Sequence, residues 1–180
     1  MMVANGHMGG RNYWRIARWT AAAALLLTPL AMMQISTEWH WGPGSFVVAG
    51  IMIGGVCVLY DLAERATGSR AYRAGVAVAL LTAFMTIWTT LVRDDGNGLG
   101  FLLLVMTAGV GAFSAWFRPA GMARAMLGSA MMQILLAIAM ATAPRIATTP
   151  GASFWYLSAG GFFALLWLTA AGCFYRAARR

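Results

Sequence analysis

The segment "YDLAERATGSRAYRAG", Tyr60 to Gly75, is the first place in this chain where residue types and spacing could do chemistry. It holds Asp61, Glu64, Arg65, Arg70 and Arg73. On one helix Asp61 and Arg65 stand four residues apart, the spacing of a helical ion pair. Glu64 falls on the adjacent face, where Arg70 or Arg73 can meet it across a Gly68-Ser69 turn. Such a group can neutralise itself, dock a partner protein or bind an anionic lipid headgroup. A second candidate is Gln133, the deepest strongly polar side chain of an otherwise apolar run. An amide at that depth needs partners, and a neighbouring helix can supply Ser, Thr or a backbone carbonyl. The third candidate is a scattered polar set: Glu38, His40, Arg93, Asp94 and Arg145.

Within that set, "STEWHWGPGSF" places Glu38 and His40 beside Trp39 and Trp41. A carboxylate and an imidazole suit acid–base work or a metal. There is no second ligand at helical spacing, however. Haem in a membrane bundle usually takes two histidines from within helices, and this chain has only His7 and His40. No G-x-S-x-G, H-E-x-x-H or phosphate-binding loop is present. No catalytic residue, metal ligand or cofactor is therefore expected. The plainer reading is a membrane-surface turn. Trp39 and Trp41 lie at headgroup level, Gly42-Pro43-Gly44 reverses the chain, and Ser45 caps the next helix.

The elements that position these residues follow from composition. Of 180 residues, 61% are hydrophobic and 10% charged, with a mean hydropathy of +0.70. A soluble domain carries about 25% charged residues, so lipid must be the solvent for most of this chain. The net charge is +8 and all 13 basic residues are arginines. They fall in short clusters between apolar runs, which argues against a nucleic-acid partner.

Six apolar runs have spanning length, about 20 residues each: 17–36, 45–63, 71–92, 99–117, 121–143 and 153–175. Breakers separate them. With six spans, Arg11, Arg15, Arg18, Arg65, Arg70, Arg73, Arg118, Arg124, Arg176, Arg179 and Arg180 share one side. Only Arg93 and Arg145 fall on the other. The positive-inside rule then places both termini in the cytoplasm. The first run resembles a signal peptide but lacks a clean cleavage site, so a retained helix is expected; cleavage would leave five spans. The fold expected is an all-α integral membrane helical bundle. Residues 1–16 form a mobile basic cytoplasmic tail and 17–180 a single transmembrane domain.

Stripes of small residues should mark helix contacts, because lipid removes the hydrophobic drive between helices. They include Gly50, Gly54 and Gly55, then Ala71, Gly75 and Ala79, and later Gly109, Gly111, Gly160 and Gly161. Pro29 should kink the first helix. Cys57 and Cys173 read as small apolar residues, and the 13 methionines as packing. No ionisable residue falls at mid-membrane, which disfavours a proton-coupled transporter.

"FVVAGIMIGGVCVLYDLAER", "SRAYRAGVAVALLTAFMTIW" and "FRPAGMARAM" resemble a group of small uncharacterised bacterial inner-membrane proteins. The likeness runs from about the second span to the fifth and implies membrane topology but no activity. Where that pattern opens the second span with Asp, this chain has Ser45. The expected function is a non-enzymatic accessory, assembly or partner-binding protein of the bacterial inner membrane. Its partners are the lipid bilayer and either another membrane protein or a second copy of itself. The alternative is a small transporter or channel for a neutral or weakly polar solute, and it requires a cavity reaching Gln133.

Overall fold

A computed structural model describes residues 8–36, 41–93 and 98–179. The described residues are helical throughout, with short connections. The helices are α1 (Met8–Ile35), α2 (Pro43–Ala66), α3 (Arg70–Arg93), α4 (Leu99–Ser114), α5 (Pro119–Thr142), the single turn α6 (Pro144–Ala147) and α7 (Ala152–Ala178). All six expected apolar runs are helices. Five of them are long and apolar enough to cross a membrane, while Leu99–Ser114 is shorter, at 16 residues. That shorter helix rises about 24 Å.

Two boundaries differ from those expected. α1 reaches back to Met8, because nothing in residues 8–16 breaks a helix apart from two glycines. α2 begins at Pro43, and the Gly42 carbonyl accepts from the Ser45 and Phe46 N–H groups. Ser45 therefore sits inside the first turn and does not cap it. Proline suits that first position, where its missing N–H leaves nothing unpaired.

By packing, the chain falls into two compact units, Met1–Arg65 and Ala66–Arg180. In the first, α1 and α2 form an antiparallel hairpin. Leu26 faces Gly50 midway along, and Arg18 meets Asp61 nearer one end. Few side chains are enclosed there. Among its described residues only Pro29, Ala49 and Asp61 are buried. Pro29 lies inside α1 and cannot donate to the Leu25 carbonyl.

The second unit is an up-down four-helix bundle of α3, α4, α5 and α7. Its most extensive contact is between α5 and α7. Along that seam a Cβ added at Gly160 would run into Ala137 Cβ. Ser153 Oγ donates to the Ala141 carbonyl at 2.8 Å and ties the helix ends together. Gly75 of α3 lies beneath the Phe174 ring of α7. Tyr72 meets that ring edge-on at 5.1 Å, and its hydroxyl donates to the Phe117 carbonyl at 2.8 Å. That bond braces the α4–α5 turn, where Trp116 and Phe117 both hold left-handed backbone angles, φ 49° and 54°. Such angles are uncommon for bulky residues.

The outer faces are apolar. Leu103, Met106, Val110, Phe113, Leu135 and Leu165 all project outward, as lipid contact requires. Threonine hydroxyls on the helices turn back to carbonyls one turn earlier, as at Thr82, Thr86, Thr107 and Thr169. They thereby satisfy themselves without water.

Gly160 and Gly161 offer a matched test of the seam, since a Cβ at Gly161 would meet nothing within 4 Å. Gly160→Val should cost roughly 1–3 kcal/mol of stability through overpacking and lower the thermal midpoint in detergent. Gly161→Val should leave the midpoint near wild type. Equal midpoints for the two variants would show that the close approach does not hold the bundle.

Candidate functional site

The polar side chains gather in two places, one in each unit. In the first unit Arg18 reaches from α1 to both acidic residues of α2. Its Nη2 lies 2.6 Å from Asp61 Oδ1 and 2.6 Å from Glu64 Oε2. Trp19 Nε1 donates to Asp61 Oδ2 at 3.3 Å, and Arg15 Nε stands 3.5 Å from the same oxygen. The Arg18 guanidinium also lies over the Tyr60 ring, 4.7 Å from its centre. Two cations and two anions thus compensate one another. Helical spacing explains the arrangement, because Arg15 and Arg18 share one face of α1, and Asp61 and Glu64 one face of α2.

From Arg18 to the end of α1, and from the start of α2 to Asp61, is roughly 26 Å of helix. The cluster therefore sits almost one hydrocarbon thickness, about 30 Å, from the hairpin's turn. That is the level of a membrane surface. The expected Asp61–Arg65 pair is not made. Arg65 is exposed, while Asp61 turns to α1, where two arginines and an indole offer more than a single exposed guanidinium. Arg70 is exposed and Arg73 half-buried at the start of α3, in the second unit.

In the second unit a cavity of about 400 Å³ runs between α3, the start of α4, α5 and α7. Thr86, Trp88, Thr89, Arg93, Phe101, Gln133, Trp155, Tyr156, Ala159 and Phe163 are among its walls. It enters at the end of the bundle where α3 finishes and α7 begins. There Arg93 lies 5.9 Å from the centre of the Trp155 ring and 5.4 Å from that of Tyr156. Gln133 stands about 13 Å of helix inward from the end of α5. Further in, Trp167, Phe174 and Tyr72 are all buried and fill the bundle. The cavity is therefore open at one end and closed at the other.

Gln133 is only 1% exposed, yet its Oε1 has no hydrogen-bond partner. This corrects the expectation that a neighbouring helix would pair with the amide. Thr86 and Thr89, which share the cavity wall, donate to their own helix's backbone carbonyls instead. Trp167 Nε1 is likewise buried and unpaired.

Of the scattered polar set, Arg93 stands at the cavity mouth. Glu38, His40 and Asp94 lie outside the described residues, as does the side chain of Arg145, whose backbone belongs to α6. Among the described residues no three of His, Cys, Asp and Glu gather as metal ligands would. Cys57 and Cys173 are half-buried free thiols.

Sequence reasoning used Arg15 and Arg18 only as markers of orientation. Their i, i+3 spacing, opposite the Asp61–Glu64 pair of the same spacing, was the available signal. Thr86, Trp88, Trp155 and Tyr156 carried none, because a cavity depends on how four helices fit together. No protein-family model, curated protein or solved structure matches the chain. Fold and surface define the class by themselves: a multi-pass helical membrane protein.

The ion cluster can be tested by removing its shared cation. Arg18→Ala leaves two partly enclosed carboxylates short of charge and should destabilise the hairpin by about 3 kcal/mol, as when one partner of a buried pair is lost. The triple variant Arg18→Ala, Asp61→Ala, Glu64→Ala should recover most of that. Thermal unfolding in detergent reads both. A triple variant no better than the single one would mean the charges are not coupled.

Proposed function

We propose that this chain is a small bacterial inner-membrane transporter for a neutral or weakly polar solute, with both termini in the cytoplasm. The observation that carries the reading is the cavity that reaches Gln133. Ordinary membrane bundles close such a space with side chains, since in lipid helices associate through close packing. Here the outer half is hollow and the inner half filled, which is the one-sided opening that alternating access requires. Among the described residues no carboxylate lines the walls, and Arg93 stands at the mouth, so the deep part suits an uncharged molecule. The orientation is supported by the arginines of the second unit. Arg70, Arg73, Arg118, Arg124, Arg176 and Arg179 lie at the closed end by the alternation of the helices, against Arg93 and Arg145 at the other. That asymmetry makes the closed end cytoplasmic.

Cysteine accessibility tests both parts of the proposal. With Cys57 and Cys173 changed to Ala, Thr89→Cys and Ala159→Cys should react with a membrane-impermeant maleimide added outside the cell. Ala170→Cys, fully buried near the closed end, should not. Labelling of the first two only from the cytoplasmic side, or not at all, would overturn the reading.

A second reading, a partner-binding accessory protein, is favoured by the first unit. Its helices bury little between themselves, and Gly54 and Gly55 have open space beside them. On this reading, purification in mild detergent yields a stoichiometric membrane partner. A clean monomer in several detergents rejects it.

A further inference from the structure

The cavity's own chemistry narrows what it can hold, and the narrowing rests on the solute-binding reading above. Its walls are mostly aromatic and aliphatic, with Trp88, Phe101 and Phe163 between mouth and floor. Such a lining takes up a flat or apolar body. At the inner end one polar group stands out. The Gln133 amide is enclosed, and its carbonyl oxygen has no partner. A buried acceptor left unpaired costs about 1–3 kcal/mol; Gln133 lines the cavity, and a turn of its amide toward that space lets a ligand supply the missing bond and recover part of the cost.

A second unpaired atom lies nearby. Ala137 faces Gly160 across the antiparallel α5–α7 seam, which brings Gln133 level with Ala164. Trp167 is three residues further along α7, about 4.5 Å of rise. Its indole N–H is buried without an acceptor. Trp167 does not line the cavity and lies behind its floor, so the Gln133 amide is the polar group that a ligand meets there. That amide both donates and accepts, so a hydroxyl or a primary amide, which also does both, complements it better than a group with a single role.

Charge at this depth is excluded on energetic grounds. Among the described residues no ionised side chain lines the inner part of the cavity, so an ion there would lose its hydration without compensation. Arg93 is held at the mouth over the rings of Trp155 and Tyr156, where it can meet a ligand only on its way in.

We infer that the cavity binds a small neutral molecule with an aromatic or similarly flat apolar body and a hydroxyl- or amide-type end. That end hydrogen-bonds the Gln133 amide at the floor.

The test compares phenol with toluene, which have nearly the same shape and differ in the hydroxyl. A third probe, benzoate, carries a charge. Binding to the full chain in lipid nanodiscs is measured by equilibrium dialysis, with empty nanodiscs correcting for uptake by lipid. Phenol should bind roughly fivefold more tightly than toluene, the worth of one hydrogen bond. Benzoate should not bind above the blank. In Gln133→Leu the phenol preference should fall to about one, and an unchanged thermal midpoint shows that this variant is folded. Gln133→Met repeats the comparison with a different apolar side chain. If none of the three probes binds above the blank, the solute-binding reading itself fails. If phenol and toluene bind equally to the wild type, the cavity stands and the Gln133 assignment falls. Binding of benzoate more tightly than phenol overturns the neutral-ligand class.

Discussion

A helix in lipid gains nothing by hiding its leucines from the solvent, because the solvent is as apolar as they are. What remains to hold helices together is how closely their backbones can approach. In the second unit that approach is set along the α5–α7 seam, where Gly160 leaves room for Ala137. Small side chains continue it through Ala130, Ala141, Ala164 and Ala171, all buried. α3 then joins through Gly75 under Phe174, and α4 through Gly111, which faces Ala125. The large residues Leu103, Phe113 and Leu165 are left on the outside, facing lipid.

The second constraint is that polar groups must be satisfied within the protein. Most are. The threonines bond back to their own helices, and Ser153 and Tyr72 reach carbonyls of other elements. The arginines and carboxylates of the hairpin neutralise one another. Among the described residues four buried side-chain atoms lack a hydrogen-bond partner: Arg15 Nε and Arg18 Nε within the hairpin's charge cluster, and Gln133 Oε1 and Trp167 Nε1 in the bundle. Of these, Gln133 also forms part of the cavity wall, so that position stands out on two independent grounds.

Much of the architecture was legible in the sequence because it is written in long-range composition. Runs of twenty apolar residues separated by Gly, Pro and Arg leave few alternatives to a helical bundle. Gln133 was legible as well, by rarity, since a strongly polar side chain within an apolar run stands out. Its surroundings were not. Whether an amide finds a partner depends on the rotation of three helices, and no local pattern fixes that. Asp61 shows the same limit from the other side. The i, i+4 rule offers it Arg65, a neighbour in sequence, but the hairpin brings Arg18 from 43 residues away. Local spacing ranks only local partners.

Gly160 has two duties. It sets the spacing of α5 and α7, and it forms part of the cavity wall. Any side chain introduced there would push the helices apart and alter the chamber in one step. The chain therefore cannot adjust the size of its binding space at that point without disturbing its fold. Over evolutionary time, changes of ligand preference would have to come from residues such as Ala159 and Phe163, which line the same space without setting the distance between helices. Selection for stability and selection for specificity would then act on neighbouring positions of one helix, independently of each other.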